Sequence, residues 1–326
     1  MRALVCKQYG SAEHLVIEET EDLIPGEGEI VVDIKAAAIN FPDNLMIHGQ
    51  YQVKVPPPFV PGGEAAGVVS ALGAGVERFK VGDPVIVLPE GGAFAEQVKI
   101  AADRALSIPA GMGFDVAAGF SITYATTHHA YKDCAQLMAG ETVLVLGAAG
   151  GVGVAAIELA KAAGAHVIAG ASNAEKLEFA KAAGADHVVN YIDESLRERV
   201  KQITAGVGVD VVYDPVGGDL AMQAFKSLAW RGRYLVIGFA SGQIPNFPAN
   251  IALLKEAQIQ GVWWGTWMAK EPKAGYENFV ELMQLMKQGR IQPKITEQFA
   301  FEDYVAAFAS ITERRARGKV VLLIGA

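Results

Sequence analysis

The densest chemical signal in the sequence is a glycine-rich run, Gly147-Ala148-Ala149-Gly150-Gly151-Val152-Gly153. It lies between an apolar stretch, Val143-Leu144-Val145-Leu146, and an alanine-rich stretch with helical periodicity over 154–163. Such a run can hold a pyrophosphate. Gly150 lets bare backbone approach the phosphate oxygens, Gly153 lets the helix pack close to the sheet, and the helix N-terminus attracts the anion. Ala148 stands where the G-x-G-x-x-G pattern has its first glycine, so the strand–turn–helix setting carries the assignment. Gly150, Gly151, Val152 and Gly153 are therefore expected to bind a dinucleotide.

A second group of residues selects the dinucleotide. About 20 residues beyond the turn, an NAD-binding chain places Asp or Glu on the adenosine ribose hydroxyls. Here the second strand, His166-Val167-Ile168-Ala169, runs on into Gly170-Ala171-Ser172-Asn173-Ala174-Glu175-Lys176, with no carboxylate at 171 or 172. The Ser172 hydroxyl and the Lys176 ammonium suit a 2′-phosphate, which makes NADPH the expected cofactor. Ser172 also fits a helix N-cap, and Lys176 also fits a solvated helix face.

These residues need an architecture to position them. From residue 142 the chain alternates strands and helices: strands at 143–146, 166–169, 187–190, 209–213 and 234–237, helices near 154–163, 174–182, 194–204 and 221–229. A strand at 258–263 would close the sheet edge. Strict βαβα alternation implies a parallel sheet covered by helices on both faces. The first third reads differently, as short alternating strands such as Glu29-Ile30-Val31-Val32-Asp33-Ile34-Lys35, separated by Pro/Gly turns at 25–28, 61–63 and 89–92. A long amphipathic helix is expected near 276–288 and a last strand at 320–324. The fold class is α/β, a doubly wound parallel-sheet domain joined to a mostly β domain.

Composition narrows the function. The chain has 326 residues, 51% of them hydrophobic, enough for two domains with large cores. A net charge of −8 argues against a nucleic-acid partner. Cys6 and Cys134, the only cysteines, form no zinc-binding spacing and read as isolated thiols. The uncharged apolar stretch 142–157 is shorter than the ~18–20 residues of a membrane helix, and no signal-peptide core is visible near the start, so the expected setting is cytoplasmic. His128-His129 is a tempting metal pair, but neighbours on a helix diverge in direction.

With these residues in view, the chain resembles the zinc-independent quinone oxidoreductase branch of the medium-chain dehydrogenase/reductase superfamily. The resemblance covers essentially the whole length. Its most specific segments are Ala38-Ile39-Asn40-Phe41-Pro42-Asp43, Pro61-Gly62-Gly63-Glu64-Ala65-Ala66-Gly67-Val68-Val69, the 148–153 turn, Asp186-His187-Val188-Val189-Asn190-Tyr191 and Arg315-Ala316-Arg317-Gly318-Lys319-Val320-Val321. It implies a GroES-like β domain built from both chain ends, here 1–124 and 265–326, with a Rossmann NADPH-binding domain, 125–264, between them. Zinc-dependent relatives carry a ligand Cys where this chain has Asn40 and a ligand His where it has Gly63, so no metal is expected.

The resemblance also implies roles. Asn40 and Thr126 would lie by the nicotinamide, with Asn40 able to touch the substrate. Ser172, Lys176, Tyr191 and Arg315 would surround the 2′-phosphate. Asp214-Pro215-Val216-Gly217 and Ile237-Gly238-Phe239 would line the cleft at the strand ends. The leading expectation is hydride transfer from NADPH to a small-molecule quinone or other α,β-unsaturated carbonyl, in a homodimer paired through the 258–263 strand. The runner-up is an enone or enoyl-thioester reductase, which would want a proton donor; Tyr51, the phenol nearest the Asn40 segment in sequence, is the candidate. A third reading is a structural protein that binds NADPH without turnover. The aromatic cluster Trp263-Trp264-Gly265-Thr266-Trp267 is divided between interface packing and acceptor-pocket wall.

Overall fold

The computed structural model describes residues 1–325. The chain forms two compact units, one of residues 1–122 and 294–325, the other of residues 123–293.

The first unit is a β domain. Both chain ends meet in one seven-stranded sheet, in the order Ile295–Ala300, Lys319–Leu323, Glu29–Ile39, Ala65–Leu72, Pro84–Val87, Ala105–Ser107. Gln97–Ala101 also pairs with Glu29–Ile39. The C-terminal strand runs antiparallel to Glu29–Ile39, with Val320 opposite Ile39 and Leu323 opposite Ala36. Alternation puts Ile30, Val32 and Ile34 into a core with Val69, Phe94 and Phe308. The register is pinned at Gly67: a Cβ there would stand 2.1 Å from the Asp33 carbonyl oxygen, so only glycine permits this strand pairing.

The second unit holds a six-stranded parallel sheet, ordered His187–Asn190, His166–Ala171, Thr142–Val145, Val209–Asp214, Leu228–Val236, Gln258–Gly261. Numbered along the chain this is 3-2-1-4-5-6, the Rossmann order, whose direction reverses at the first strand. The central strands are apolar on both faces because helices cover both. Leu144, Ile168, Val189, Val212 and Phe225 are buried in its core.

The division differs from the sequence expectation by two residues at the first boundary, 122/123 instead of 124/125, and by a whole segment at the second. Residues 265–293 were assigned to the β domain, yet they pack with the second unit. The reason is polar as well as apolar. On helix Pro272–Lys287, Asn278 accepts from Lys132 Nζ at 2.9 Å and donates to Asp133 at 2.8 Å, while Glu281 accepts from Lys132 at 2.6 Å. The Gln292 N–H donates to Glu158 at 2.8 Å. The edge strand is also shorter than expected, ending at Gly261.

Candidate active site

The glycine turn takes the form its residues require. After strand Thr142–Val145, Gly147 turns the chain at φ +57°, and helix Gly151–Ala162 starts behind Gly150. A Cβ at Gly153 would lie 2.3 Å from the Gly147 carbonyl oxygen, so that position admits glycine alone. Gly150 is different. A Cβ there would meet its nearest atom, the same oxygen, only at 3.4 Å, so the protein's own packing does not demand glycine. Its bareness leaves backbone open for a ligand. The first intrahelical bond comes from Val154 N–H to the Gly150 carbonyl, which leaves the N–H groups of Gly151, Val152 and Gly153 ahead of the helical ladder.

Ser172 follows strand His166–Ala171 directly. The helix behind it is capped by Asn173, whose Oδ1 accepts from Lys176 N–H at 2.9 Å. Capping thus falls to Asn173, and the Ser172 hydroxyl instead lies 3.5 Å from Lys176 Nζ. Tyr191 joins this corner. Its N–H donates to the Ala171 carbonyl, and its ring stands 3.3 Å from where a Cβ of Gly170 would be. Ser172, Lys176 and Tyr191 are therefore neighbours at the end of the second strand.

At the ends of the fourth and fifth strands, Asp214 organises the loops. Its Oδ1 accepts from Val216 N–H at 2.7 Å and Gly217 N–H at 2.9 Å, and its Oδ2 accepts from the Tyr234 hydroxyl. Burial raises the Asp214 carboxyl, against the pull of these donors. The Gly238 N–H reaches the Asp214 carbonyl at 3.3 Å, and a Cβ at Gly217 would meet the Phe239 ring at 3.1 Å, which fixes Gly238 and Phe239 beside this turn. Thr126 is half-buried on helix Phe114–His129, and next to it Thr127 bonds the Tyr213 hydroxyl at 2.8 Å.

The first unit contributes a second cluster. Asn40 follows strand Glu29–Ile39 and caps helix Phe41–Ile47; its N–H donates to Asp43 Oδ2 at 2.7 Å, half of a capping box. The side chain of Asn40, 8% exposed, donates from Nδ2 to Glu64 Oε1 at 2.9 Å. Lys319 Nζ donates to Asn40 Oδ1 at 2.7 Å and to Glu64 Oε1 at 2.6 Å. Glu64 is fully buried, and its other oxygen accepts from Ile122 N–H at 2.8 Å. Burial pushes the Asp43 carboxyl up to about 7, even though Asn40 N–H, the Lys319 charge and Gly62 N–H favour its ionised form.

The sequence reading named neither Glu64 nor Lys319 as a site residue. A signal was present, since Glu64 opens the apolar run Ala65-Ala66 and Lys319 opens Val320-Val321-Leu322-Leu323, and a charge heading a buried strand needs a partner. Tyr51 is half-buried in the loop after helix Phe41–Ile47, its N–H on the Leu45 carbonyl. Arg315 is exposed in the first unit and pairs with Glu313 at 2.7 Å.

His128, His129 and Trp267 have structural explanations. His128 Nε2 lies 3.3 Å from Glu281, whereas His129 bonds Asp133 at 2.9 Å and stacks on Trp267 at 4.0 Å. The two imidazoles serve different contacts, and Trp267 is accounted for by this stack. Among the described residues, no group of three or more His, Cys, Asp or Glu side chains is arranged to hold a metal, and no helix is long and apolar enough to cross a membrane.

Comparison with known proteins places this arrangement. Residues 26–131 match the alcohol dehydrogenase GroES-like domain and residues 151–288 the zinc-binding dehydrogenase domain. The chain is 37% identical to a quinone oxidoreductase-like protein 2 homolog of Nematostella vectensis, over 98% of this chain and 88% of that protein. It belongs to the quinone oxidoreductase-like branch of the medium-chain dehydrogenase/reductase superfamily. This is a family of oxidoreductases, and the GroES-like and Rossmann units are its two parts. Among solved structures, Escherichia coli quinone oxidoreductase complexed with NADPH superposes with a TM-score of 0.93 at 31% identity, covering 99% of this chain and 100% of that one. The CurK enoyl reductase superposes with a TM-score of 0.90 at 27% identity, covering 99% of each.

Proposed function

We propose that the protein reduces a quinone or a related conjugated carbonyl with NADPH, without zinc. The observation that carries the cofactor reading is the Ser172–Lys176 corner, a hydroxyl and an ammonium 3.5 Å apart where an NAD site would present a carboxylate. The glycine turn fits the same ligand, because Gly150 is bare without a packing reason and the N–H groups of Gly151, Val152 and Gly153 precede the helical ladder. Thr126, Tyr191, Gly238, Phe239 and Arg315 complete the NADPH-holding set in this reading. When bound, NADPH supplies the hydride.

The protein's share is placement and electrostatics. Asn40 donates a hydrogen bond to the substrate oxygen on which negative charge develops, an interaction that strengthens as charge accumulates. A quinone needs little more, since its ring stabilises that charge and the quinol oxygens take protons from water. Zinc is absent from this reading because Asn40 and Gly63 lack thiolate and imidazole donors. The same reading includes a homodimer in which the open edge of Gln258–Gly261 is covered by a second copy.

The enone or enoyl-thioester reading is favoured by the likeness to the CurK enoyl reductase. It requires protonation at carbon, and a positioned acid typically contributes ~10²–10⁴-fold. An NADPH-oxidation panel of naphthoquinones, benzoquinones, simple enones and an enoyl-CoA separates the two readings. On quinones, Tyr51→Phe is expected to stay within roughly tenfold of the parent, below an acid's usual effect, and Asn40→Ala to lose more. Turnover of enoyl-CoA above quinones, with Tyr51→Phe costing beyond about a hundredfold, transfers the assignment to the enoyl reductase.

A further inference from the structure

Asn40 is held in a way that its proposed role does not by itself explain. An amide oxygen and nitrogen are hard to tell apart by shape, but the partners decide here. Lys319 can only donate and an ionised Glu64 can only accept, so the oxygen must face the ammonium and the nitrogen the carboxylate. Glu64 Oε1 accepts from both the Asn40 amide and Lys319, which closes a three-membered polar ring. Asn40 Nδ2 has one further contact, to the Ala38 carbonyl at 3.5 Å, beyond the usual range of about 2.7–3.2 Å for N–H···O. One Nδ2 hydrogen is therefore locked, and the other lacks a good protein acceptor.

The pair that imposes this orientation is costly. Glu64 is 0% and Lys319 5% exposed, and an ion pair so buried is weak evidence for stability, because desolvation offsets much of its attraction. Apolar residues would tie Lys319–Leu323 to Glu29–Ile39 as well as this pair does, since the ladder between Val320–Ile39 and Leu323–Ala36 is already formed by backbone. What apolar residues could not do is turn an asparagine amide. With Oδ1 turned to the Lys319 ammonium and one Nδ2 hydrogen on Glu64, the remaining Nδ2 hydrogen is the group the amide offers a ligand most readily.

We propose that Glu64 and Lys319 are positioning residues that fix the Asn40 amide as a one-way hydrogen-bond donor, so the site selects a substrate group that presents an electron-rich oxygen. The orientation itself is a claim about this chain alone; its effect on turnover rests on the function proposed above for Asn40. The pair does not touch substrate and moves no proton. It acts through the amide, sparing the transition state the cost of reorienting it.

The test uses the full-length protein with Glu64→Gln and Lys319→Met combined, which removes both charges together and leaves neither stranded. Asparagine-selective ¹⁵N labelling, with Asn40→Ala to assign the signal, reads exchange of the Asn40 Nδ2 hydrogens without substrate or cofactor. The double variant is expected to exchange them at least about tenfold faster, one charged hydrogen bond's worth, with its melting temperature little changed. With NADPH and a benzoquinone, kcat should fall about tenfold or more while the quinone KM stays near the parent value, and adding Asn40→Ala should cost nothing further. Unchanged exchange overturns the proposal, as does a kcat loss that adds to that of Asn40→Ala. If exchange rises as expected but Asn40→Ala itself leaves kcat intact, the positioning stands and the substrate role of Asn40 falls.

Discussion

The Ser172–Lys176 corner and the Asn40–Glu64–Lys319 ring are both small polar sets at strand ends, yet they are held in opposite ways. In the corner, Lys176 is half-buried, and the distance from its Nζ to Ser172 Oγ is 3.5 Å. In the ring the three side chains are buried and their contacts run from 2.6 to 2.9 Å. The difference matches what each would recognise under the function proposed above. A phosphate carries its own charge and can draw a flexible ammonium to it. An oxygen that becomes negative only in the transition state gains most from a donor already aimed, because reorganisation then adds nothing to the barrier.

The sharpest way to break this contrast is to strand one charge of the ring. Glu64→Gln alone leaves the Lys319 ammonium buried without its carboxylate, and the expected loss is about 3–5 kcal/mol of local stability. Hydrogen exchange of the Lys319–Leu323 amides measures it in the right unit. Lys176→Ala should change stability by less than about 0.5 kcal/mol in its own unit. A Glu64→Gln loss below that of an ordinary surface change would mean that the ring is no firmer than the corner.

The same contrast explains what was legible in the sequence. The corner is local: Ser172 and Lys176 are four residues apart, and the missing carboxylate can be read at positions 171 and 172. The glycine turn is local too, and Gly153 is dictated by a carbonyl only six residues away. The ring is not local. Asn40 and Lys319 lie 279 residues apart, and only the antiparallel ladder between the two chain ends brings them together. Motif reading found Asn40 through its resemblance and passed over its partners for that reason. Helix Pro272–Lys287 was recognised as amphipathic, but amphipathicity does not say which unit covers the apolar face; Asn278 and Glu281, paired to residues of 132–133, decide it.

An intermediate effect sharpens the corner's side of the comparison. Hydrogen bonds to charged groups contribute about 1.5–3 kcal/mol, so Lys176→Ala should weaken NADPH binding roughly ten- to a hundredfold and leave NADH nearly unchanged. Cofactor fluorescence titration gives both constants. Equal weakening of both cofactors would remove the 2′-phosphate assignment, and with it the idea that this corner relies on the ligand's own charge.

Taken per pH unit, the smallest expected effect lies beside the ring, at Asp43. Burial, joined by repulsion from the Glu64 carboxylate, raises its carboxyl from an ordinary 3.8 to about 7, outweighing the donors at Asn40 and Gly62 and the nearby Lys319 charge. The sign follows from proton binding. Between about pH 4 and pH 7 the unfolded chain has released this proton while the folded chain keeps it, so folding takes up a proton and stability falls as pH rises. The contribution is fully present below the unfolded value and lost as pH passes through about 7, at up to about 1.4 kcal/mol for each pH unit. Asp43→Asn is neutral throughout and cannot titrate. Relative to the parent, its stability should therefore improve steadily between pH 4.5 and 7, measured as denaturant midpoints on both proteins. Parallel curves would mean that the backbone donors hold Asp43 ionised after all. The ring would then border a second buried anion, and Lys319 would be shared between two carboxylates rather than committed to Glu64 and the Asn40 amide.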